Sequence, residues 1–140
     1  MNAYLDASVL VALFTIDSFS PPARAFLDAQ RPIVIVSDFA AAEFASAVGR
    51  LVRTREVTLA RARRMFVEMD GWLARSAKRV ETVSADIVTA QGFLRRLDLP
   101  LRTPDAVNIA IAQRVNATLG TFDDKMRAAA MALGVSTCAI

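Results

Sequence analysis

Five short apolar runs alternate along the chain with longer segments of helical spacing, and no other feature limits the possible folds so strongly. The runs are Ala3–Leu5, Ile33–Val36, Val80–Val83, Ala117–Gly120 and Val135–Ala139. Each reads as a buried strand. Between them lie helical patterns over roughly 7–15, 21–30, 38–53, 59–75, 85–97, 104–116 and 122–133. Pro21–Pro22 suits a first helical turn, and Thr103–Pro104–Asp105 reads as a cap, a first-turn proline and a first-turn acid. Gly134 is placed to end the last helix. Strand followed by helix, repeated, predicts an α/β sandwich built on a mostly parallel five-stranded sheet flanked by helices. No linker, repeat or low-complexity stretch divides the chain, so residues 1–140 are expected to form a single domain.

Composition narrows the function. The chain has no histidine, which removes every mechanism that needs an imidazole base. Its one cysteine, Cys138, excludes an internal disulfide. Apolar residues make up 54% of the chain, above the ordinary share, which predicts apolar surface covered by a partner or a second copy. No apolar stretch is long enough to cross a bilayer, and the N-terminus lacks the basic start of a signal peptide. A cytoplasmic protein without a membrane partner is the expectation. Nine Lys/Arg against three acids between Arg50 and Arg79 suit either phosphate contacts or a plain solvated helix face.

The acids are the anomaly. Nine of the eleven residues in "YLDASVLVALF" are apolar, yet Asp6 stands near its front. An ionised carboxylate taken out of water costs several kcal/mol unless something pairs with it. Glu43 lies in the nearly apolar helix "FAAAEFASAV", on one stripe with Ser46 and Arg50. Asp105 opens "PDAVNIAIAQ", with Asn108 one turn later. Asp123 follows the fourth apolar run in "TFDD". Parallel sheets place their chemistry outside the carboxyl ends of the strands, where Asp6 and Asp123 fall. Each acid has an ordinary alternative as a helix cap, a dipole partner or a solvated side chain. Four of them gathered at one sheet edge would repel one another unless a cation joined them. Hard divalent ions prefer such oxygen donors, and a metal would also activate water for phosphodiester hydrolysis.

"YLDAS", "AAEF", "LRTPDAVNIAIA" and "TFDDKM", taken in order, resemble the PIN domain, and within it the VapC-type toxins of toxin–antitoxin pairs. The likeness runs from residue 1 to about 138. It implies a PIN-like three-layer sandwich and an endoribonuclease dependent on Mg²⁺ or Mn²⁺. Asp6, Glu43, Asp105 and Asp123 match the family's four acids: Asp6 and Asp105 as central metal ligands, Glu43 and Asp123 for a second ion or for the attacking water. Asp124 competes with Asp123 for the fourth place; the T–x–D spacing from Thr121 favours Asp123. Ser8 and Thr121 match hydroxyl positions that support the acids, and Asn108 is a further candidate to hydrogen-bond Asp105. The resemblance further implies cleavage by metal-activated water to a 5′-phosphate and a 3′-hydroxyl, a homodimer, and a cognate antitoxin seated in an apolar groove near the acids.

Three other classes compete, one of them a purely structural cytoplasmic domain, which leaves the four isolated acids unexplained. A PIN-like module that binds RNA or protein without cutting would need no intact acid set. A phospho-accepting domain with Asp6 as acceptor would normally carry a second Asp two residues on, where this chain has Ser8.

Overall fold

The computed structural model describes residues 1–140. Four strands, β1 (Asn2–Leu5), β2 (Ile33–Ser37), β3 (Ala77–Val80) and β4 (Thr118–Gly120), form one sheet in the order β3–β2–β1–β4. All three pairings are parallel: Ala3 lies opposite Val34 and Thr118, and Val36 opposite Arg79. Seven helices connect them: α1 (Ala7–Phe14), α2 (Ser20–Gln30), α3 (Asp38–Arg53), α4 (Leu59–Ser76), α5 (Ser84–Arg95), α6 (Thr103–Arg114) and α7 (Asp124–Ala132). Helices α1 to α4 pack among themselves, as do α5 to α7. The sheet lies between these layers.

Two strand expectations need correction. The run at Val135–Ala139 adds no fifth strand. It meets β4 through a single parallel bridge, Leu119 with Thr137, held by Leu119 N–H to Ser136 O and Cys138 N–H to Leu119 O, both 2.8 Å. The strand expected at Val80–Val83 lies three residues earlier, over "AKRV". It is an edge strand, so Lys78 and Arg79 stay in water and discourage further pairing. Past Val80 the chain turns away because the Asp38 carboxylate takes the N–H of Thr82 at 2.9 Å and its hydroxyl at 2.5 Å.

The helices follow the sequence pattern closely. Helix α3 spans Asp38–Arg53 as expected, capped by Ser37 Oγ, which accepts from Ala40 N–H at 2.9 Å. Helix α6 starts one residue earlier than the Thr103 cap predicts: Arg102 is the cap, and Asp105 reaches back to its N–H at 3.2 Å. Gly134 ends α7 with φ at +77°, a conformation that glycine adopts without steric cost.

Thirty-two buried apolar residues form one continuous core. The central strand β1 is buried on both faces from Ala3 to Leu5, as parallel strands covered by two helical layers must be. Each fully buried large side chain contributes about 1.5–3 kcal/mol. Phe14 meets Phe44 and Trp72 edge-on, each at 5.8 Å between ring centroids, and Phe44 meets Phe66 at 6.2 Å. Trp72 and Phe66 therefore serve packing. Between α5 and α6, buried Asp86 accepts from the Arg114 guanidinium at 2.7 and 3.0 Å. Gly120 is needed where β4 meets β1, since a Cβ there would stand 2.9 Å from Leu5 Cδ2. This close approach brings the ends of β1 and β4 side by side. No helix is long and apolar enough to cross a membrane.

Candidate active site

The carboxyl ends of β1, β2 and β4 open into a cleft of about 780 Å³. Asp6 at the cap of α1, Glu43 on α3, Asp105 in the first turn of α6 and Asp123 at the cap of α7 all line it. Asp6 leaves β1, and its N–H bonds Gly120 O at 3.1 Å, which fixes it beside the end of β4. Its side chain caps α1, with Oδ1 accepting from Val9 N–H at 3.2 Å. The cap is only part of its environment. Ser8 Oγ donates to Oδ1 and Thr121 Oγ1 to Oδ2, both at 2.6 Å. Asp6 is 3% exposed and forms no ion pair. Burial raises its pKa, and the two hydroxyls and the Val9 N–H work against that rise. Its partners within the chain are thus neutral donors, which hold the carboxylate in place and leave its charge unmatched.

Ser8 and Thr121 stand where the sequence places them, behind Asp6. Ser8 Oγ also accepts from Phe122 N–H at 2.9 Å, tying α1 to the loop ahead of α7. Thr121 Oγ1 accepts from Asp123 N–H at 3.0 Å and so links the first acid to the fourth. Asp123 itself caps α7, accepting from Lys125 and Met126 N–H at 2.9 and 3.0 Å through Oδ1, which leaves Oδ2 free to face the cleft. Asp124 points outward and pairs with Arg127 at 2.7 Å. Of the two candidates, only Asp123 lines the cleft.

Asn108 departs from expectation. It donates through Nδ2 to Glu43 Oε1 at 2.6 Å, rather than to Asp105. The pKa of Glu43 is raised by burial, held back by the Asn108 bond, and raised further by the negative charges of Asp6 and Asp105. Glu43 is thus within electrostatic reach of both Asp6 and Asp105. The cation nearest Asp105 is Arg102, 3.6 Å away on a side chain 80% exposed, where an ion pair is worth little.

Sequence reasoning missed Tyr4. Its ring is fully buried in β1, and its hydroxyl donates to Asn108 Oδ1 at 2.6 Å. Ser37 Oγ lies 2.7 Å away on the other side. Tyr4 has one hydroxyl proton, already given to Asn108, so Ser37 is the donor in that second bond. Burial pushes the Tyr4 pKa well above its ordinary value, so this proton stays in place. Nothing local in the sequence singles it out, because tyrosine is an ordinary strand residue.

The donor set is all oxygen and all acidic, which is the chemistry a hard divalent cation takes. As they stand, no three of these acids converge into a ready metal cage; Mg²⁺ is commonly held by one or two carboxylates together with waters. Arg50, Arg53 and Arg102 stand on the rim, while Phe19 and Phe122, 4.7 Å apart between centroids, form an apolar corner.

Residues 3–131 match the PIN domain. The chain belongs to the PIN domain family. A curated relative, Ribonuclease VapC46 of Mycobacterium tuberculosis, is 34% identical over 97% of this chain and 95% of its own, so the likeness extends to VapC-type PIN proteins. Among solved structures, the PIN fold here is similar to Mycobacterium tuberculosis VapC20, described as a sarcin-ricin loop cleaving toxin. That match has a TM-score of 0.73 at 19% identity, covering 91% of this chain and 94% of that one. A toxin–antitoxin complex from Klebsiella pneumoniae matches with a TM-score of 0.66 at 19% identity, over 90% of each chain.

Proposed function

We propose that this PIN protein, acting as one domain over residues 1–140, is a divalent-metal-dependent endoribonuclease and the toxin of a toxin–antitoxin pair. One observation carries the reading: Asp6, Glu43, Asp105 and Asp123 line one cleft, and no basic side chain pairs with Asp6 or Glu43. Asp6 and Asp105 would hold Mg²⁺ or Mn²⁺, with Glu43 and Asp123 completing the site or orienting the attacking water. Bound there, the ion would supply a more acidic water and offset the charge of the scissile phosphate.

The remaining work falls to the chain. Ser8 and Thr121 hydrogen-bond the Asp6 carboxylate, and Asn108 hydrogen-bonds Glu43. Arg50, Arg53 and Arg102 are placed to grip RNA phosphates flanking the cut. Phe19, Phe122, Val11 and Met126 give the same cleft apolar wall, which suits an antitoxin segment laid across it. A homodimer, which the VapC likeness implies, would cover exposed apolar side chains such as Leu59 and Val67 on α4. An RNA-cutting toxin would act in the cytoplasm, where its substrate is. The names of the VapC relatives support the same reading.

The test compares wild type, freed of any co-purifying protein, with Asp105→Asn on total RNA, in Mn²⁺ or in EDTA. Discrete cleavage confined to wild type in Mn²⁺, leaving 5′-phosphates, is the expected result. Equal inertness of both, with Mn²⁺ still bound by wild type, would favour the non-cleaving module instead.

A further inference from the structure

A polar chain runs through the apolar centre of the molecule and ends at the cleft. Ala40 N–H donates to Ser37 Oγ at 2.9 Å, and Ser37 lies 2.7 Å from the Tyr4 hydroxyl. Tyr4 donates to Asn108 Oδ1 at 2.6 Å, and Asn108 Nδ2 donates to Glu43 Oε1 at 2.6 Å and to Pro104 O at 3.1 Å. Ser37, Tyr4 and Asn108 are each no more than 1% exposed. They come from the end of β2, from β1 and from α6.

Proton bookkeeping gives this chain one direction. The Tyr4 proton fixes the Asn108 amide with its oxygen toward β1 and its nitrogen toward the cleft. Turned the other way, the amide would set its oxygen 2.6 Å from a Glu43 oxygen, where two acceptors repel. Glu43 and Pro104 O favour the same orientation, and the tyrosine hydroxyl is the donor that satisfies the Asn108 oxygen in it. Burying three polar side chains to hold one another is costly where phenylalanine, alanine and leucine would pack. The chain reaches the cleft at Glu43, which lies within electrostatic reach of Asp6 and Asp105. The second amide proton, on Pro104 O, ties the same asparagine to the turn that carries Asp105.

The geometry points to Tyr4 as a positioning residue: through Asn108 it holds the Glu43 carboxylate in the cleft in the orientation that receives the metal ion. It touches neither substrate nor ion. This inference rests on the metal-site reading above. Partners that orient a ligand in this way typically set metal affinity by about 10–100-fold.

The experiment is a double-mutant cycle on Mn²⁺ binding, read by calorimetry on the full chain without RNA. The variants are Tyr4→Phe, Asn108→Ala and both together, each checked for native circular dichroism. Tyr4→Phe is expected to weaken Mn²⁺ binding about 10-fold or more in the wild-type background and to cost almost nothing further once Asn108 is alanine. A tyrosine that served only packing would cost the same in both backgrounds, and that result would overturn the inference. Should Tyr4→Phe fail to fold, Asn108→Ala alone decides: it must show the same loss, and normal Mn²⁺ affinity in that variant overturns the inference. Wild type that binds no Mn²⁺ overturns the metal-site reading and this inference together, whereas wild-type binding matched by Tyr4→Phe overturns this inference alone.

Discussion

Thr121 Oγ1 donates a 2.6 Å hydrogen bond to Asp6 Oδ2, joining two residues 115 positions apart in sequence at the adjacent ends of β4 and β1. The same hydroxyl accepts from Asp123 N–H, so one threonine sets two of the four acids. Thr121→Val keeps the shape and removes both bonds. It should cost about 1–3 kcal/mol in urea unfolding, because a buried carboxylate oxygen and an N–H lose their partner. Ser8→Ala should cost a similar amount, and the double variant less than the sum, since both hydroxyls serve Asp6.

Asp6 and Glu43 both carry raised pKa values in the fold, chiefly through burial. The folded state therefore binds more protons than the unfolded one, and the metal-free protein loses stability from this source as pH rises. The loss begins near the ordinary carboxylate value, about 4, and is complete above the raised native values. Asp6→Asn removes one source. In metal-free thermal unfolding, the melting temperature of Asp6→Asn relative to wild type should climb from pH 4 toward pH 8. A flat or falling difference would show that the buried charge is matched within the chain.

Arg50 and Arg53 end α3 on the rim of the cleft, unpaired with any acid. If they grip RNA phosphates, binding to single strands should weaken with salt, and each lost contact should reduce the log–log slope by about 0.7. Binding titrations on Arg50→Ala and Arg53→Ala in the Asp105→Asn background measure this without cleavage. An unchanged slope would assign both residues to solvated surface.

The pair between Asp86 and Arg114 stands outside the cleft. Arg114→Ala leaves a carboxylate that is 1% exposed without its cation, at an expected cost of about 3 kcal/mol, the low end for a buried pair because the arginine is a third exposed. Asp86→Leu with Arg114→Met should recover most of it. Cleavage per folded molecule should not change in either variant.

What the sequence disclosed follows from what each residue depends on. Asp6 and Glu43 were visible because a charge inside an apolar run is an anomaly that needs no structure to notice. Helix α3 was readable to its ends because Ser37 and the apolar spacing are local signals. Strand β3 was misplaced because an edge strand is half polar, and "AKRV" carries less apolar signal than the "VETV" that follows. The last apolar run was overread: Val135 and Cys138 are buried, but the segment's only strand pairing is a single bridge to β4. Asn108 was seen as a candidate and given the wrong partner, since its true one lies 65 residues away. Tyr4 was invisible as a functional residue because its role exists only once β1, β2 and α6 meet.

The most direct measurement is anomalous diffraction from crystals soaked in Mn²⁺. The account predicts a peak in the cleft within coordination distance of Asp6 and Asp105, about 2.0–2.3 Å from carboxylate oxygens, and no peak there in Asp105→Asn. Crystals soaked at saturating Mn²⁺ with Asp6, Glu43 and Asp105 still lacking a peak, or with the ion held elsewhere, would contradict it.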